Sequence, residues 1–196
     1  MTEPEVMSAN ALPKRGAFAF RPFKIMNIKE ELLTDPYQSK RKATEVAMYA
    51  CTSEDAFRHL MHCFESDEYR LAQRAAYSVS IATRERPELI RPYIGVLVSQ
   101  LKRSDIHDAV IRNSARILQD ISIPDEFHGE LMDAAFGIIS NRQIAIAIRT
   151  FCLTILFNLS KIYPEIRTEL RVFLEESVEY EQAAFQSRAR KILKKI

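Results

Sequence analysis

A chain of 196 residues that is 47% hydrophobic and 28% charged is long enough for one domain with a substantial core. Its formal net charge of +2 singles out neither a polyanion nor a membrane surface as partner. Three cysteines, Cys51, Cys63 and Cys152, are too few for a disulfide framework and point to a reducing cytoplasm. No apolar core follows a basic start as in a signal peptide. The most apolar stretch, residues 141–163, has too short a charge-free run to span a bilayer, which needs roughly 20 residues. Glycine is scarce, at four residues, and no alternating strand pattern occurs, so the expected fold is all-α.

Residues 1–26 differ from the rest. Pro4, Pro13 and Pro22 break any helix, and Phe18, Phe20 and Phe23 interleave with Lys14, Arg15, Arg21 and Lys24. This segment reads as an N-terminal tail, partly disordered or packed through its aromatics and Ile25 on the first repeat. A partner-recruiting segment is the rival reading. Residues 28–33 read as a short helical lead-in to a single domain over 27–196.

From Asp35 the chain repeats. Asp35, Asp67 and Asp105 each stand seven residues before a base: Lys42, Arg74 and Arg112. Arg149 and Arg188 continue the series at intervals of 32 to 39 residues. Small and aliphatic residues alternate after three of these bases, in RAAYSVSIA, RNSARILQDI and RARKILKKI. A second set of helices starts at Pro87-Glu88, Pro124-Asp125 and Pro164-Glu165. Proline suits the first helical turn, and the carboxylate meets the positive end of the helix dipole. Ser53 plays the capping part in the first unit. The spacing predicts helices near 36–51, 53–65, 68–84, 87–102, 105–121, 124–140, 142–162, 164–177 and 180–195. Residues 141–163 are apolar around most of the circumference and read as an interior helix.

This period, with its Asp-then-base pattern over residues 35–196, resembles the HEAT repeat family. The segments AAFQSRARKIL and RNSARILQ also look like those of small bacterial HEAT-like proteins. The resemblance implies a right-handed α-α superhelix, a solenoid of about five helical hairpins. It also implies an inter-repeat ladder pairing Asp35 with Lys42, Asp67 with Arg74 and Asp105 with Arg112. Arg149 and Arg188 belong to the same ladder, but Asn141 and Tyr180 stand where its acids are expected.

The chemistry-bearing residues are sparse. His59, His62 and Cys63, with Cys51 nearby, lack the close cysteine pairs of a structural zinc site. His107 and His128 stand apart from any nucleophile, and no phosphate-binding glycine loop exists. The expected protein is therefore no enzyme and holds no metal or cofactor. It reads as a monomeric, cytoplasmic protein-interaction scaffold, off the membrane, that binds a protein or peptide. Arg70, Tyr77, Asn113, Arg116 and Arg190 are the candidate partner-binding residues. Nucleic-acid binding is the alternative, along a basic column or through the C-terminal cluster Arg188, Arg190, Lys191, Lys194 and Lys195. Residues 180–196 carry a net +4 against a mildly acidic middle. The absence of tryptophan counts against a DNA-glycosylase-like role.

Overall fold

The computed structural model describes residues 26–196. The expectations for Phe18, Phe20, Phe23 and Ile25 lie outside the described residues. Ten α-helices and no strand occur among those described: α1 (Ile28–Thr34), α2 (Lys40–Ala50), α3 (Glu54–Phe64), α4 (Tyr69–Glu85), α5 (Ile94–Gln100), α6 (Asp108–Leu118), α7 (His128–Ser140), α8 (Ile146–Leu159), α9 (Pro164–Ser177) and α10 (Ala183–Leu193). The even-numbered helices form one layer, each packed on the next. The odd-numbered helices form the other, with α3 on α4, α5 on α6 and α7 on α8, while α9 touches α8 and α10. α1 closes the start by packing on α2, α3 and α4.

Local chemistry sets the helix starts. Ser39 Oγ accepts from Lys42 N at 3.1 Å and Ser53 Oγ from Ala56 N at 3.1 Å, the N-cap geometry that satisfies an otherwise orphaned donor. α2 therefore begins at Lys40 rather than after Asp35. α6 begins at Asp108 because the His107 ring caps it, Nδ1 accepting from Ala109 N at 2.9 Å. The single helix expected over 87–102 is instead a 3-10 segment, Pro87–Tyr93, followed by α5. Pro92 lacks the N–H that a continuous α-helix requires there and crowds the turn before it.

The small residues do the packing work in the even layer. In α4, Ala75, Ala76, Ser78, Val79, Ser80 and Ala82 are all buried, so α2, α3 and α6 approach it from three sides. α8 buries Ile148, Cys152, Leu153, Ile155, Leu156 and Leu159 and packs between α7, α6 and α10. These side chains belong to one continuous core running from Ile28 to Ile192. Gly95 permits a close approach in the odd layer, since a Cβ there would lie 3.0 Å from the Phe127 ring.

The arginines close the helix ends. The last carbonyls of a helix have no partner within it. Arg74, buried in α4, donates to Leu32 O at the end of α1 at 2.6 Å and to Pro36 O at 2.9 Å. Arg70 reaches Pro36 O at 2.8 Å and Asp35 O at 3.3 Å. Arg86 donates to Cys51 O beyond α2 at 3.0 Å, and Asn158 Nδ2 to Gln119 O beyond α6 at 3.0 Å. Arg149 donates to Ile139 O in the last turn of α7, through Nε at 3.1 Å and Nη2 at 2.7 Å. Its fork also meets both oxygens of Glu181, at 2.8 and 2.6 Å, and the guanidinium lies 4.8 Å from the centre of the Phe185 ring. Both side chains of that pair are buried, at 3% and 4% exposed.

The expected acid–base pairs are thus corrected. Lys42 meets Glu31 at 2.5 Å rather than Asp35, Arg74 meets carbonyls rather than Asp67, and Asp105 is held by Arg103 at 2.6 Å. Arg112 is exposed and has no partner among the described residues. The reason lies in the phase of α6: Val110, Asn113, Ser114, Ile117 and Leu118 face the core, and Arg112 points away from that stripe. Arg188 donates to Thr154 Oγ1, and the acid for the fourth unit is Glu181, one residue past Tyr180.

Arg149→Ala leaves the buried Glu181 carboxylate with only the exposed Arg142, at 3.4 Å, and frees the Ile139 carbonyl, and should lower stability by about 3 kcal/mol. Arg112→Ala should change it by less than about 0.5 kcal/mol. Urea melts that reverse this order would show that the phase of α6 is wrong. Arg149 also holds the Glu181 carboxyl below its ordinary range, chiefly by hydrogen bonding. That contribution is complete above an unfolded pKa of about 4.3. It is lost as pH falls through the lower folded value. Glu181→Gln should flatten the acid limb of a stability–pH profile.

Candidate functional site

The even layer turns one face away from the odd helices, and that face is cationic. On α4 it carries Tyr77 and, two turns on, Arg84. On α6 it carries Arg112 and the half-buried Arg116. Burial lowers the pKa of the Arg116 guanidinium, as do the positive charges of Arg84 and Arg112, while Tyr77 and Asp120 oppose them. An arginine keeps its charge under such shifts, so the crowding is a standing repulsion.

The face continues onto α8 and α10. Asn158 hydrogen-bonds across to Gln119 O, and Arg188 reaches back to Thr154. Lys161 and Lys195 place their ammonium groups 4.6 and 5.9 Å from the centre of the Phe157 ring. Such cation–aromatic contacts hold a charge in place without neutralising it. Between α4 and α6 lies a cleft of about 230 Å³ lined by Ser80, Thr83, Arg84, Pro87, Arg116, Ile117, Asp120 and Ile121.

The candidate residues divide. Tyr77 and Arg116 belong to this face. Arg70 is tied to the carbonyls of Asp35 and Pro36. Asn113 is only 2% exposed and donates to Ala109 O at 2.7 Å, so it faces the core rather than a partner. Arg190 is exposed and within 3.3 Å of Gln186 Oε1. Arg84 and Lys161 are further cations of this face that the repeat spacing does not mark. Arg84 stands seven residues after Tyr77, a helical spacing that places both on one side of α4.

The groups capable of covalent or acid–base chemistry are engaged or isolated. All three cysteines are free and buried. Burial pushes the Cys51 thiol up to about 11 and the Cys152 thiol up to about 12, and raises that of Cys63, so none is held as the reactive thiolate. His128 is buried with both ring nitrogens satisfied, Nε2 donating to Ile123 O at 2.9 Å and Nδ1 accepting from Tyr163 Oη at 3.0 Å. His107 caps α6 through a neutral nitrogen, and burial lowers its pKa in the direction that keeps it neutral. His59 and His62 are exposed on α3, while Cys63 turns into the core. Among the described residues, no three His, Cys, Asp or Glu side chains gather as metal ligands would.

The family model for the HEAT repeat domain matches residues 29–196. No curated protein and no solved structure matches the chain.

The thiols offer a direct check of the burial described above. A disulfide reagent at pH 8 should label the native protein far more slowly than the protein in guanidinium, where all three cysteines react. Rapid labelling of a native thiol would show an accessible nucleophile.

Proposed function

Since the chain belongs to the HEAT repeat domain family, we propose that it is a non-catalytic protein-binding scaffold whose recognition surface is the cationic face of α4, α6, α8 and α10. Repeats of this family serve in general as interaction modules, and stacking them produces an extended surface suited to a peptide or helix. One observation carries the choice of face. Arg74, Arg149 and Arg86 are tied to helix-end carbonyls or carboxylates, whereas Arg84, Arg112 and Arg116 have no hydrogen-bond or ion-pair partner among the described residues. Cations held together without partners raise the energy of the free protein, and a ligand that neutralises them removes that penalty.

A protein partner fits better than a nucleic acid. Residues 26–196 carry 24 basic and 24 acidic side chains, so the described body is neutral. Binders of nucleic acid draw most of their affinity from a broad excess of positive charge. No helix among the described residues is long and apolar enough to cross a membrane. The buried free thiols fit a reducing compartment, and the proposed scaffold works there as a monomer.

The test is affinity capture from native lysate with the full chain, with Arg112→Glu on the proposed face and with Arg58→Glu on α3. Protein recovered by the full chain and by Arg58→Glu, resistant to nuclease and lost with Arg112→Glu, is the expected result. Recovery that depends on nuclease-sensitive material would replace this reading with nucleic-acid binding.

A further inference from the structure

We propose that the cleft between α4 and α6 is an anion-recognition pocket for an acidic side chain of a partner peptide, flanked by a shelf for an aliphatic neighbour. The proposal rests on the scaffold reading above and names the chemistry of its partner.

Three independent observations meet at this place. The first is charge. Arg84 and Arg116 line the cleft, Arg112 lies close enough to Arg116 to depress its pKa, and none of the three has a hydrogen-bond or ion-pair partner among the described residues. The one carboxylate of the lining, Asp120, is exposed and leaves an excess of positive charge. The second is a buried polar atom. Thr83 lines the same cleft, is 4% exposed, and its hydroxyl has no partner. Buried hydroxyls are ordinarily satisfied, so an orphan beside an unneutralised cationic pair marks a polar site rather than core. The third is the apolar rim. Pro87, Ile117 and Ile121 complete the lining, and a bare phosphate would leave them uncovered, whereas a peptide places an aliphatic side chain beside its carboxylate.

Size and charge then select among anions. About 230 Å³ holds a carboxylate side chain but not a folded element. The Arg84 and Arg116 guanidiniums supply planar donors of the kind that pair with carboxylates through two parallel hydrogen bonds. A nucleic acid would need this positive field extended along its backbone, and the neutral body does not provide one.

The experiment is fluorescence anisotropy of the full chain with a short labelled peptide alternating Glu or Asp with Leu or Ile. Comparison probes are the same peptide with Gln and Asn at the acidic positions, and a labelled single-stranded oligonucleotide. The acidic peptide should bind saturably, and the amide version about tenfold or more weaker. Arg84→Gln/Arg116→Gln should weaken the acidic peptide by a similar factor, while Arg58→Gln leaves it unchanged. Circular dichroism checks that each variant folds. If the double variant does not, the exposed Arg84→Gln alone carries the test and should weaken binding at least about threefold. Equal binding of the two peptides, no loss in the variants, or tighter binding of the oligonucleotide overturns the proposal. Failure here with lysate capture still lost by Arg112→Glu would remove this pocket and leave the scaffold reading standing.

Discussion

The carbonyl groups at the end of each helix govern how this chain is held together. A helix cannot satisfy its own last turn, and in a stack of short helices those turns fall next to neighbours rather than in open water. The chain meets the requirement with long side chains sent from a later helix to an earlier one: Arg74 to α1, Arg86 to α2, Asn158 to α6 and Arg149 to α7. Each such bond spans ten or more residues of sequence, so it fixes how units stack rather than how any one helix forms. Arg149 does most, because its single fork joins the end of α7, the Glu181 carboxylate before α10 and the Phe185 ring within α10.

This division of labour also shapes the charge of the exposed face. A guanidinium committed to a carbonyl inside the stack is no longer available outside it. Arg74 and Arg149 are buried for that reason, whereas Arg84, Arg112 and Arg116 stay unpaired on the free face of the even layer. The small side chains of α4 allow the three-sided packing of that helix, and the same close packing brings Arg84 alongside Arg116. Architecture and charge pattern are therefore two outcomes of one helix spacing.

Much of this was legible in the sequence. The repeat period, the small-residue alternations and the apolar run of α8 gave an all-α stack, because periodicity reports which faces are buried. The identity of the ionic partners was not legible. Spacing along the chain leads from Asp35 to Lys42 and from Asp105 to Arg112, yet Lys42 pairs with Glu31, Asp105 with Arg103 and Arg149 with Glu181, all off that register. The Arg112 error was avoidable. Val110, Ser114 and Ile117 set the core phase of α6, and position 112 lies well off it. The break at Pro92 and the N-cap role of His107 needed three-dimensional context, since proline and histidine occupy both ordinary loops and helix starts. Arg84 belongs to no repeat position; its spacing from Tyr77 puts both on one side of α4, and its packing beside α6 gives that side its charge.

The polar atoms left without partners are not spread evenly. Of the five among the described residues, Ser78 and Thr83 lie on α4, Asn113 on α6 and Gln119 at its C-terminal cap, while Ser177 ends α9. Among the described residues no guanidinium of α6 donates to a preceding helix end, and Ser114 of α6 donates instead to the Gln100 side chain of α5 at 2.7 Å. A buried polar group left without a partner costs about 1–3 kcal/mol, so a ligand that supplied partners at this joint would recover part of that cost. In an array whose units touch only their neighbours, the rotation at each joint is set by that one interface. Whatever bridges α4 and α6 would therefore act as a splint on the angle between those two helices.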